Sequence, residues 1–254
     1  KAFTPLKRAV RFHNSIVIPY RSFLPASFDP RHPWADEAVS SPQRRRLLVF
    51  GAFNYRRRWL RAELVAAVNI SKGVAPGRVL VGRLSDFASL TDAAAYQLNS
   101  TFCLCPSGDA PSFAMRFYVS ILHGCIPVRI DMYLRYPPDP EHVEHAFPFP
   151  HLIDWRRMTV VISANGGNAT KASLSKNGYN QLRAKFHGLV PHLLRMEASG
   201  EAAAMRAYMR SVVPLLVFDA HAPTGELHRQ DAASAALHEL AIKLGKPVGW
   251  RWAE

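Results

Sequence analysis

The sequence predicts an α/β protein built on a parallel, Rossmann-like sheet. Short continuous apolar runs recur at 46–51 (RLLVFG), 79–81 (VLV), 101–104 (TFCL), 126–130 (IPVRI) and 158–162 (MTVVI). Helical patterns separate most of these runs. Two runs end in turn residues, Gly51 in one case and Pro106-Ser107-Gly108-Asp109 in the other. Unbroken apolar runs suit strands buried on both faces, and strands alternating with helices imply βαβ units.

The elements can be justified in chain order. Residues 14–18 (NSIVI) read as a strand running into Pro19-Tyr20, and the Pro-rich stretch 21–43 reads as irregular. The run 46–51 is a buried parallel strand feeding a turn. Residues 57–70 place Trp59, Leu60, Leu64, Val65 and Val68 at helical spacing. A small strand at 79–81 and a short helix at 92–98 follow. The strand 101–104 leads through the turn 106–112 to a helix over 113–123, with Gly124 as its natural stop. A strand at 126–130 comes next. The Pro-rich region 136–150 should be loop, and 158–162 another strand. Two helices are expected near 175–196 and 198–213, and a last one at 231–243 with Asp231 as N-cap.

The 254 residues carry a formal charge of +13, which favours an anionic partner. The basic residues are dispersed as Arg44-Arg45-Arg46, Arg56-Arg57-Arg58, Arg156-Arg157 and singles. No RNA-recognition or zinc-finger pattern accompanies them, so nucleic acid is not the expected partner. No run of 18 apolar residues occurs, so no membrane span is expected in this chain. The chain opens on Lys1 with no signal-peptide pattern, which reads as a fragment or a processed product. Asn69, Asn99 and Asn168 open glycosylation sequons, which permit modification in a secretory lumen.

Three cysteines do not make a disulfide framework. Cys103 and Cys105, two apart in a strand, share a face. They read as packed apolar residues rather than metal ligands. Glu141-His142-Val143-Glu144-His145 could hold a metal only on a helix, and it lies in the Pro-rich loop. His13 and His32 read as surface or packed histidines, and Asp154-Trp155 as the entry to a strand.

The turn at 106–112 carries more chemistry. It places backbone N–H groups at a helix N-terminus, where the dipole favours an anion such as phosphate. Gly108 permits close backbone approach. Ser107 and Ser112 add hydroxyls, Asp109 suits capping, and Arg116 can reach back as a cation. A plain structural turn is the competing reading. In a parallel sheet, ligands bind beyond the carboxyl ends of the strands, where Gly51 and the loop to Arg58 also lie.

STFCLCPSGDAPS from Ser100, RFYVSILHGCIPV from Arg116 and HLIDWRRMTVVI from His151 together resemble the exostosin family, glycosyltransferase family 47. IVIPY at 16–20 and RRRLLVFGAF at 44–53 are similar to further landmarks of that family. The resemblance spans roughly residues 12–240 and is strongest over 100–162.

The resemblance implies a GT-B fold, with two Rossmann-like lobes. Residues 1–43 would be a remnant of the amino lobe and a linker, the chain being truncated on that side. Residues 44–175 would be the nucleotide-sugar-binding lobe, and 176–254 a C-terminal helical segment. It also implies transfer of a sugar from a nucleotide donor, UDP-linked in most members, to a glycan acceptor. The setting would be the Golgi or another secretory lumen, with a full-length form anchored upstream. No metal cofactor is implied, because helix dipole and basic side chains stabilise the leaving diphosphate. The donor-binding set is then Gly51, Arg58, Arg61, Ser107, Gly108, Asp109, Ser112, Arg116 and Ser120. Family members often carry an acid three residues after the helix Arg. Val119 stands there in this chain, with Ser120 beside it as a weaker substitute. No catalytic base is identified. The alternative is a non-catalytic lobe that binds a nucleotide or a glycan, or a truncated inactive homologue.

Overall fold

A computed structural model describes residues 19, 45–54, 59–87, 89–106, 115–131, 147–163, 176–217 and 231–245. Two compact units are present: Lys1–Pro19 with Asp139–Trp155 and Val212–Glu254, and Tyr20–Pro138 with Arg156–Ser211.

The larger unit is the α/β unit that the apolar runs predict. Its five strands are β1 (Leu47–Ala52), β2 (Val79–Gly82), β3 (Ser100–Pro106), β4 (Ile126–Asp131) and β5 (Val160–Ser163). Every pairing is parallel and the order is β2-β1-β3-β4-β5. This is a doubly wound, Rossmann-like order, whose switch point lies between β1 and β3. β3 is buried along its whole length, as an unbroken apolar run requires of a central strand.

The crossovers contain α1 (Trp59–Ile70), α2 (Leu90–Leu98) and α3 (Met115–Leu122). α1 buries Leu64, Val65, Ala67 and Val68. α2 starts where the Ser89 hydroxyl accepts from Asp92 N–H at 3.1 Å. α3 stops at Gly124, whose φ of +67° permits a left-handed cap. There Cys125 N–H donates to Ser120 O and Gly124 N–H to Ile121 O, both at 2.9 Å. On one face of the sheet Phe50, Ala52, Cys103, Cys125 and Ala93 of α2 cluster with Leu80 and Phe87.

Three corrections arise here. Cys103 and Cys125 form a disulfide, with Cα atoms 5.7 Å apart, and only Cys105 is free. The count of three hid this pair, because one bridge and one buried thiol also give an odd number. The stretch expected as a helix at 175–196 is two, α4 (Lys176–His187) and α5 (Leu189–Ala198). Pro191 has no N–H to offer the His187 carbonyl, which instead accepts from the Ser71 hydroxyl at 3.2 Å. Finally, β5 begins two residues later than expected, because Trp155–Met158 forms a 3-10 turn. α6 (Glu201–Val212) follows Gly200, whose φ is +83°.

Arg45 ties down the amino edge of the sheet. Its guanidinium donates to the carbonyls of Gln97, Ser100 and His123. Gln97 and His123 lie at the C-terminal ends of α2 and α3, where a cation complements the helix dipole. Burial, and then the neighbouring Arg206, push the Arg45 pKa down to about 9.

In the smaller unit, α7 (Ala232–Lys243) starts at Asp231, whose carboxylate accepts from Ser234 N–H at 2.8 Å, as the sequence predicts. α7 packs on the 3-10 turn Val213–Leu216. The buried Glu239 carboxylate of α7 lies 2.6 Å from His151 Nδ1.

Candidate functional site

The carboxyl ends of β1 and β3 meet at the switch point, where a parallel sheet leaves a crevice. Gly51 and Ala52 end β1, and Phe53 follows, fully buried, with its N–H donating to Gly82 O at 3.1 Å. Gly51 has a steric reason to lack a side chain. A Cβ there would stand 3.0 Å from Phe53 Cε1 and 3.2 Å from Leu104 Cβ.

Arg61, in the first turn of α1, is buried and latches the two strand ends together. Nη1 donates to Asn54 O at 2.8 Å, and Nη2 reaches Pro106 O at 3.5 Å. The planar fork of arginine suits this double task, which a lysine ammonium could not reproduce. Arg116, in the first turn of α3, approaches from the other strand. Its Cζ lies 5.7 Å from the Phe53 ring centroid, and that of Arg61 lies 6.0 Å away. Both guanidinium groups thus gather on one aromatic ring, whose quadrupole attracts cations. Among the described residues no hydrogen bond or ion pair engages the Arg116 guanidinium.

The surroundings tune these groups. Burial lowers the Arg116 pKa, and the nearby Cys105 sulfur counters part of that shift. Burial pushes the Cys105 thiol up to about 11, with Arg116 and the Ser120 hydroxyl opposing it. A thiol held protonated is inert as a nucleophile. Cys105 is therefore a packing residue under the site.

Of the residues chosen from the sequence, Gly51, Arg61 and Arg116 come together at this edge. Ser120 does not face it openly. Ser120 is fully buried, its hydroxyl donates to Arg116 O at 2.8 Å, and it sits 3.7 Å from Cys105 Sγ. Arg58, Ser107, Gly108, Asp109 and Ser112 lie outside the described residues, as do His13, His32 and the Glu141–His145 segment. Asp154 is exposed and precedes the 3-10 turn Trp155–Met158. Phe53 and Asn54 were not singled out in the sequence. The available signal was an aromatic residue directly after an apolar strand that points at two arginine-bearing helices.

The family model of the Exostosin GT47 domain matches residues 3–174, more than half of the chain. The chain belongs to the exostosin GT47 family. The match covers β1 to β5 and therefore the whole switch-point edge. The glycosyltransferase family and the Rossmann-like sheet expected from the sequence thus hold. No curated protein and no solved structure gives a match. The disulfide also gains a place in this exostosin domain: it joins the F-C-L run of β3 to the G-C-I-P-V run of β4, two of the segments that carry the resemblance. Among the described residues, no helix is long and apolar enough to cross a membrane.

Proposed function

We propose that this exostosin lobe binds a UDP-sugar by its diphosphate at the β1/β3 edge and transfers the sugar to a glycan acceptor. The observation that carries this reading is the convergence of Arg61 and Arg116 on Phe53, at the carboxyl ends of the switch-point strands. Burial disfavours the Arg116 cation, and an anion seated beside it would offset that cost. Arg61 is committed to main-chain carbonyls and positions the edge. Arg116 is the diphosphate clamp. Ser107, Gly108, Asp109 and Ser112, which follow β3 in the sequence, would add backbone and hydroxyl donors to the phosphates, and Arg58, which follows β1 in the sequence, would add a cation. In the reaction, the acceptor hydroxyl oxygen bonds to the anomeric carbon as the bond from that carbon to the β-phosphate oxygen breaks. UDP leaves with the electron pair, and the hydroxyl proton passes to a base that no described side chain is assigned to be. Arg116 matches the charge that grows on the departing diphosphate, so no metal ion is required for that step. The disulfide supports an oxidising setting, the Golgi or another secretory lumen.

Titration calorimetry with UDP tests the reading. Arg116→Lys keeps the charge but loses the fork, so UDP affinity should fall by about tenfold, on the scale of a charged hydrogen bond. Equal affinity in wild type and variant removes the clamp. A second reading, a nucleotide-binding lobe without transfer, is favoured by Val119 standing where family members often place an acid. UDP binding with no sugar released or transferred from any UDP-sugar would select it.

A further inference from the structure

At the opposite edge of the same sheet, a groove of about 430 Å³ opens beside the amino end of β5. That volume is in the range of small-ligand sites. Arg156, Arg157 and His192 contribute cationic or polar walls, and Glu201 opens α6 on the far side. Val160, Met196 and Met205 give a buried apolar lining. Among them lies Thr159, 7 % exposed, whose Oγ1 has no hydrogen-bond partner among the described residues. A buried hydroxyl is normally paired; this oxygen is covered, and rotation of the side chain would turn it into the groove. Arg157 is held over the Tyr208 ring at 4.1 Å, which fixes its guanidinium near the groove.

This donor set has a preferred occupant. The arginines favour an oxyanion, the Glu201 carboxylate favours a hydroxyl donor, and the apolar lining favours the C–H face of a ring. A bare inorganic anion would satisfy the first and be repelled by the second. We propose that the groove is a second carbohydrate subsite that takes one acidic sugar residue of a glycan chain. The carboxylate or sulfate meets Arg156 and Arg157, and ring hydroxyls pair with Thr159 and Glu201. Its role in transfer rests on the reading given above: a chain engaged at the β1/β3 edge would be anchored again at the amino edge of the lobe. The binding itself does not depend on that reading.

The test is a titration of the whole chain, followed by the methyl resonances of Met196 and Met205. The probes are a galacturonate tetramer, a sulfated galactose tetramer, a neutral galactose tetramer and sodium sulfate. An acidic tetramer should shift both methyls and bind at least about tenfold more tightly than the neutral one, the scale of one charged hydrogen bond. Whether the carboxylated or the sulfated tetramer is the tighter identifies the acidic group. Arg156→Ala should remove most of that preference. Thr159→Val, close in shape, should weaken the acidic tetramer by about fivefold through loss of one neutral hydrogen bond. UDP affinity should be unchanged in both variants. Equal binding of neutral and acidic tetramers, or sodium sulfate binding as tightly as either, overturns the proposal. So does a Thr159→Val variant that gains stability and keeps full affinity. Should a variant fail to fold, the methyl shifts of the unaltered protein still decide. Loss of UDP binding with tetramer binding intact would sink the donor-site reading alone, and the converse would sink this one alone.

Discussion

Breaking the Cys103–Cys125 bridge should cost the larger unit about 3 kcal/mol, and the figure can be worked from where the bridge sits. The two residues are 22 apart in sequence, and the bridge closes a loop that contains all of α3. In the chain-entropy account, a loop of that size removes about 3 kcal/mol of freedom from the unfolded chain. Both cysteines are also buried, at 1 % and 0 % exposure, against Phe50 and Ala93. Replacing both with alanine therefore adds a small loss of packing. For a unit of this size each kcal/mol moves the melting temperature by roughly 2–4 °C, so the double variant Cys103→Ala/Cys125→Ala should melt about 6–12 °C lower. Reduction of the wild type should lower it similarly. Alkylation of the unfolded protein followed by mass measurement checks the premise directly. Without reductant only Cys105 should be modified, and with reductant all three cysteines should be. Three modified cysteines without reductant, in protein made in an oxidising compartment, would refute the bridge. A melting change below about 2 °C in the double variant would refute the energetic argument.

Three further outcomes follow from buried groups. Burial pushes the His123 pKa down to about 4, with Arg45 adding to the shift and the Val119 carbonyl opposing it. The unfolded chain therefore binds the proton first, and stability falls as pH drops from about 6.5 to about 4 and then levels, by about 3 kcal/mol in total; denaturant titrations across that window should show a flatter profile for His123→Gln. Arg206 is 5 % exposed, its Nε and Nη2 have no partner among the described residues, and burial lowers its pKa to about 10. Arg206→Met should thus raise the melting temperature, by about 1–3 kcal/mol of stability, and a fall would reveal an unseen counter-charge. Gly51→Ala should cost about 1–3 kcal/mol by overpacking against Phe53 and Leu104 and should weaken UDP binding along with stability, whereas an unchanged melting curve would show that Phe53 can move aside.

The sheet was legible because its strands are nearly pure apolar runs. Val79, Phe102, Leu104, Ile126 and Val128 leave no other reading once helices separate them. Strand order is beyond local sequence, and so is the bridge, since the spacing of Cys103 and Cys125 becomes meaningful only when β3 and β4 are neighbours. β5 slipped because Met158 is apolar and fully buried yet belongs to a 3-10 turn, a case in which burial and strand membership part company. At the site, Gly51, Arg61 and Arg116 could be chosen by their place after strands or at helix starts. Their division of labour could not. The carbonyls of Asn54 and Pro106 that occupy Arg61 come from two different strand ends. Ser120 looked available from its sequence position, but the helical phase of α3 turns its hydroxyl toward Arg116 O and Cys105.

The charge of +13 invites an electrostatic account of the whole surface, but the structure sorts the arginines before any ligand is considered. Arg45 spends its donors on three carbonyls at the amino edge, and Arg61 spends its own on two at the carboxyl edge. Arg78 is paired with Glu197 at 2.8 Å, and Arg83 with Asp86 at 3.0 Å. Pairs open to solvent, such as Arg83 with Asp86, add little stability, but both pairs remove their cations from the pool that can recruit an anion. Net charge therefore overstates the attraction that is left. Two groups of described arginines line the places discussed above. Arg116 stands at the carboxyl ends of β1 and β3, and Arg156 and Arg157 stand at the amino end of β5. The disulfide ties β3 to Cys125, just before β4, and Arg45 ties the ends of α2 and α3 to the start of β3. A rigid frame matters here because a guanidinium fork selects its ligand only when it is held to its bidentate geometry. The sequence does not distinguish one arginine from another, and it is the fold that commits some of them to internal partners.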